Sequence, residues 1–136
     1  GAAGIGKTAL LREAARASGR RVYEGGGLST LSWMSYLPIS RALGGEAPPG
    51  DHAAVAHEVE SRVNGGVLIL DDLHWADPDT LSLLPFLAGR IALLCAVRRG
   101  DPGSPGALAR AGEAGCEVMD IDAEAVKRFI TTKDAT

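Results

Sequence analysis

Cysteine is scarce in this chain: there are two among 136 residues. Cys95 sits in the apolar run IALLCAV, and Cys116 opens another β-prone stretch, with no C-x-x-C spacing and no histidine at ligand spacing. That pattern argues against a disulfide-stapled fold and against a structural zinc site, so both thiols are read as buried and free. Basic charge is not in excess either. Fourteen Lys and Arg against seventeen Asp and Glu leave a net charge of −3, and this segment lacks the basic surface with which nucleic-acid binding normally begins. Long apolar runs are missing as well. The longest, VLIL and IALLCAV, fall far below the roughly 18 residues of a membrane span. No signal-peptide pattern, internal repeat or low-complexity tract is legible. A cytoplasmic setting without membrane contact is expected.

What is present is a chain of one-domain length, 46% hydrophobic and 23% charged, with 18 glycines, the composition of a folded domain and not of a disordered segment. KTALLREAARAS reads as a helix stopped by Ser18-Gly19, and RRVYEG as a strand closing in a flexible turn at Gly25-Gly26-Gly27. In LSTLSWMSYLPISRAL, Pro38 interrupts the helical pattern, so a loop followed by a short helix over 39–43 is expected. GGEAPPGD is a linker, after which Asp51 is placed to cap HAAVAHEVESRVN, where Val55, Val59 and Val63 recur every four residues. VLILDD is a continuous apolar run, the mark of a strand covered on both faces. DPDTLSLLPFLAGR reads as a helix bent or shortened by Pro85, IALLCAV as a second buried strand, ALARAGEAG as a helix, CEVMDI as a strand, and AEAVKRFI as a helix capped by Asp122. This alternation specifies an α/β fold, a parallel sheet with helices on both faces.

The first eight residues, GAAGIGKT, complete a G-x-x-x-x-G-K-[ST] pattern through Gly1, Gly6, Lys7 and Thr8. The phosphates of a nucleotide need many hydrogen-bond donors and close backbone approach, which glycines permit and a following helix N-terminus reinforces. Gly1, Gly4, Ile5, Gly6, Lys7 and Thr8 are therefore the candidate nucleotide-binding residues, with the Lys7 ammonium on the terminal phosphates and the Thr8 hydroxyl on Mg²⁺. Mg²⁺ prefers oxygen ligands, and Asp71, at the end of the apolar run VLIL, is the candidate metal-side carboxylate. Asp72 follows as a residue to polarise the attacking water, with a shorter reach than a glutamate. At the end of the other buried strand, Arg98 or Arg99 can reach a γ-phosphate, and position favours Arg98. His74, Trp75 and Asp77 read as a structural brace, with Asp77 before Pro78 starting a helix.

Together GAAGIGKTALL, VLILDDLHWAD and AVRRGDPGSPGALAR resemble the STAND-type, AAA+-related ATPase domain of large LuxR-family (MalT-like) transcriptional regulators, and YLPISRAL is similar to a segment between the two Walker motifs of that family. The resemblance covers residues 1–130, a partial P-loop ATPase domain, followed by a truncated tail over 131–136. It implies a P-loop NTPase fold with strand order 5-1-4-3-2, strand 1 being expected before Gly1, and hence a piece of a larger protein that is poorly stable alone. It also implies a switch that binds ATP or ADP with Mg²⁺, hydrolyses ATP slowly and self-associates in the intact protein. DNA is then contacted only through a C-terminal helix-turn-helix domain outside this chain. By position, Lys7 and Thr8 match the Walker A pair, Asp71 and Asp72 the Walker B pair, and Arg98 a sensor-like arginine. Two alternatives stand beside this one: the same module fused to a nucleotide cyclase or protein kinase, and a remnant or interaction domain that no longer binds nucleotide.

Overall fold

The structure, a computed structural model, describes residues 12–13, 15–96 and 104–113. Three strands, β1 (Val22–Gly26), β2 (Val67–Asp71) and β3 (Ala92–Cys95), form one parallel sheet in the order β1-β2-β3. Val22 pairs with Val67, Gly26 with Asp71, and Leu70 with Cys95, so all three carboxyl ends reach one edge. Between them run α1 (Leu37–Leu43), α2 (His52–Val63) and α3 (Pro78–Leu87), with α4 (Ser104–Glu113) beyond β3. Short 3₁₀ turns occupy Ser29–Leu31 and Leu73–Trp75. The expected mixed α/β architecture with a parallel sheet is thus what the described residues form. The glycine-rich start and the strand and helix expected after residue 115 lie outside them.

Side chains alternate across a strand, and here both sets are buried. Leu68, Leu70, Leu93 and Cys95 join Ile39, Val55, Val59, Leu83, Leu84, Leu87 and Ala107 in a single cluster beneath the four helices. The alternate residues Val67, Ile69 and Leu94 are equally inaccessible yet stand outside that cluster, so the opposite face is covered too. Arg12, Glu13 and residues 15–17 are helical, Ala15 is fully buried, and Arg12 bonds Glu24, which shares Ile69's face by register. Helices therefore lie on both faces, with this segment on the second.

Two local expectations change. Pro38 does not interrupt α1 but sits in its first turn, where a missing N–H costs no helical hydrogen bond, so the helix starts at Leu37. Pro85 does remain inside α3, on its exposed side. More consequential is the glycine triplet, which is no flexible turn. Gly25 and Gly26 are the last residues of β1. A Cβ on Gly25 would lie 2.0 Å from the Pro38 carbonyl oxygen, and one on Gly27 would lie 2.6 Å from the Trp75 carbonyl carbon. Glycine is required because α1 and the 73–75 turn approach the β1 backbone directly. The Asp51 cap is as expected: its carboxylate accepts the Ala54 N–H at 2.9 Å.

Candidate functional site

The carboxyl edge of the sheet is built around the end of β2. Asp71 is its last residue, half-buried, and its Oδ1 accepts the N–H of Asp72 at 2.8 Å. Its main-chain oxygen accepts the Gly27 N–H at 3.2 Å, closing the edge between β1 and β2. By alternation Asp71 shares a face with Ile69 and Glu24, the face on which Arg12 meets Glu24. There the Arg12 guanidinium grips Glu24 in a fork, with Nη2 at 2.7 Å from both carboxylate oxygens and Nε at 3.1 Å from Oε1. The Arg12 pKa lies above its ordinary value, first because of the hydrogen bond to Glu24, then because of that residue's charge, with smaller contributions from Asp71 and Glu13. Arg12 is thus within electrostatic reach of Asp71.

Asp72 takes a different course. Its backbone is left-handed, φ 48° and ψ 46°, turning the chain out of β2 into the 73–75 turn. Its Oδ1 lies 4.0 Å from His74 Nε2, beyond hydrogen-bond range. The His74 side chain is buried and its ring stands 4.5 Å from that of Trp75. The same turn is tied to β3, since the Leu73 N–H donates to the Ala96 carbonyl at 3.0 Å and the Ala96 N–H donates to the Leu70 carbonyl at 3.0 Å. Asp77, only 2% exposed, accepts the Thr80 N–H at 3.0 Å, the Thr80 hydroxyl at 2.6 Å and the Tyr36 N–H at 2.9 Å. It caps α3 and fastens the loop before α1 to it, and with His74 and Trp75 it has the bracing role read from the sequence.

The two adjacent aspartates are therefore set apart: Asp71 continues the face of Ile69 and Glu24, and Asp72 lies beside His74. Gly1, Gly4, Ile5, Gly6, Lys7 and Thr8, together with Arg98 and Arg99, lie outside the described residues. Two cations at this edge escaped the sequence reasoning. Arg12 reads there only as one charge on a helix. Arg41 reads as part of a short helix, yet its Nη1 donates to the Gly26 carbonyl at 2.8 Å because α1 lies along β1. Neither Arg12 nor Arg41 has a sequence signal of its own. Among the described residues no group of three or more His, Cys, Asp or Glu side chains is placed to hold a metal ion, and no helix is long and apolar enough to cross a membrane. Comparison of the chain with protein-family models, with curated proteins and with solved structures finds no match.

Proposed function

We propose that this chain is the nucleotide-binding part of an ATP-dependent switch, a P-loop module that binds ATP or ADP with Mg²⁺ and hydrolyses ATP slowly. The observation that carries the reading is the position of Asp71. It ends the central, doubly covered strand at the carboxyl edge, where ligands of open parallel sheets bind. The helical residues 15–17 lead into β1 through the Gly19 turn, and Arg12 is within electrostatic reach of Asp71.

In this proposal the backbone N–H groups of residues 4–7 and the Lys7 ammonium hold the phosphates. Asp71 and the Thr8 hydroxyl fit Mg²⁺, which is commonly held by one or two protein oxygens together with substrate phosphates and water and does not need an all-protein cage. Asp72 orients water. Arg98, which follows β3 in the sequence, senses the terminal phosphate. Self-association driven by nucleotide, and DNA contact through a separate C-terminal domain, belong to the larger regulator of which this chain is proposed to be a part. The test is a titration of the folded chain with fluorescent ADP and ATP analogues in Mg²⁺. Saturable binding weakened at least about tenfold by Lys7→Ala, the loss of a charge-assisted contact, is expected. No binding, or binding indifferent to Lys7→Ala, overturns the proposal.

A further inference from the structure

At the opposite edge of the sheet, where the strands begin, a cavity of about 370 Å³ opens between the start of β1 and the end of α2. Arg20, Arg21 and Tyr23 form one wall and Arg62 the other, and none of its described lining residues is acidic. In a chain of net charge −3, three arginines, Arg20, Arg21 and Arg62, line this one hollow. The negative end of α2 accounts for Arg62, in its last turn. It does not account for Arg21, the residue just before β1. The placement of Arg21 is built in: the Tyr23 hydroxyl donates to the Arg62 carbonyl at 3.1 Å and accepts from Arg21 Nη1 at 3.3 Å, while the Tyr23 ring packs on the core cluster. Arg62 meets Glu58 through Nε alone, at 3.0 Å, an arrangement that uses one of its five N–H donors. At the rim, Gly19 and Gly65 have φ of 78° and 84° and open space where a Cβ would stand, so the mouth carries no side chain at either point.

We infer that this cavity is a second ligand site, separate from the Asp71 edge, that binds a small molecule through a terminal phosphate group. Guanidinium forks match the geometry of a phosphate oxyanion, and the volume falls at the lower end of the roughly 300–1,000 Å³ of small-ligand pockets, room for a phosphate and one sugar-sized body. Tyr23 is a positioning residue: it orients Arg21 and joins the two walls.

The experiment is an amide NMR titration of the full chain in phosphate-free buffer at low salt, with inorganic phosphate, ribose 5-phosphate and ribose as probes. Saturable shifts at Arg21, Tyr23 and Gly65 with both phosphate compounds, and none with ribose, are expected. They persist in Lys7→Ala, which separates this site from the proposed nucleotide loop. Arg21→Gln with Arg62→Gln weakens binding at least about tenfold, and Tyr23→Phe several-fold with the spectrum otherwise kept. As a second measurement, ribose 5-phosphate and not ribose slows phenylglyoxal modification of Arg21 and Arg62, read by mass spectrometry. A dispersed spectrum without shifts at these amides, shifts abolished by Lys7→Ala, or affinity unchanged by the arginine replacements overturns the inference.

Discussion

Replacing Gly25 by alanine tests whether the β1–α1 contact is as close as described. The added Cβ would stand 2.0 Å from the Pro38 carbonyl oxygen, 2.7 Å from the Ala42 nitrogen and 3.1 Å from the Ala42 Cβ. The first two are backbone atoms and cannot swing aside as a flexible side chain does. To restore even a tight contact of 3.0 Å, α1 must retreat by about 1 Å, and a gap of that size forfeits a quarter to a half of each dispersion contact across the interface. Ile39, fully buried on α1, and the Arg41 bond to the Gly26 carbonyl lie on the surface that opens. Overpacking alone costs about 1–3 kcal/mol, and with the loosened contacts a loss of roughly 3 kcal/mol is expected, a large part of the ~5–15 kcal/mol of a typical domain. Urea unfolding followed by circular dichroism measures it, with an unchanged m value marking a pure stability effect. Gly45→Ala is the internal control. Gly45 is exposed with nothing within 4 Å, and it is not among the glycines of positive φ. Its replacement should be neutral or should stabilise by about 0.4–1 kcal/mol by restricting the unfolded chain. A Gly25→Ala variant within about 0.5 kcal/mol of the parent would refute the packing argument, because typical surface substitutions give no more than that.

Other perturbations probe the parts that hold the carboxyl edge. Asp77→Ala removes the acceptor of three hydrogen bonds in a nearly inaccessible place, and a loss of about 2–4 kcal/mol by thermal or chemical unfolding is expected, more than an exposed cap gives. The Arg12–Glu24 fork is 38% and 25% exposed, so solvent screens it, and a double-mutant cycle with Arg12→Gln and Glu24→Gln should return a coupling of about 0.5–1 kcal/mol that shrinks in high salt; a null cycle would show that it does not hold this segment to β1. Asp79 has its pKa held below the usual carboxylate range, first by the Ser35 hydroxyl, 2.6 Å away, and then by His52. A depressed folded pKa adds stability that is present above the unfolded pKa of ~3.9 and is lost as pH falls through the folded value. The melting-temperature gap between the parent and Ser35→Ala should therefore be full at neutral pH and narrow below about pH 4, and a gap constant down to pH 2 would contradict that.

The sheet was the most legible part of the molecule. VLIL and IALLC read as doubly buried strands because no polar residue breaks the run, and the pairing of β2 with β1 and β3 buries each face under a different set of helices. Asp51 and Asp77 were legible because capping is local: a carboxylate, an N–H three residues on and nothing further away. What sequence reasoning could not reach were effects of tertiary approach. Three glycines in a row carry the composition of a flexible turn, and only the arrival of α1 and the 73–75 turn makes them packing residues. Pro38 fails as a breaker for a similar reason, since its effect depends on which turn of the helix it occupies. At the candidate site the Asp71-Asp72 pair reads as one acidic unit, yet the left-handed backbone of Asp72 divides it into a carboxylate on the Ile69 and Glu24 face and another beside His74. No dipeptide pattern encodes that division, which arises where β2 must turn to keep Leu73 bonded to Ala96.

Whether Asp71 serves a nucleotide-bound Mg²⁺, as proposed, is read from the Mg²⁺ dependence of ATP affinity in the parent chain and in Asp71→Asn. With Asp71 on the ion, millimolar Mg²⁺ strengthens ATP binding to the parent by about tenfold or more, while Asp71→Asn, equally folded by circular dichroism, binds ATP with an affinity nearly indifferent to Mg²⁺. An Asp71→Asn chain whose ATP affinity responds to Mg²⁺ as the parent's does would contradict it, as would a folded parent that binds no ATP with or without the ion.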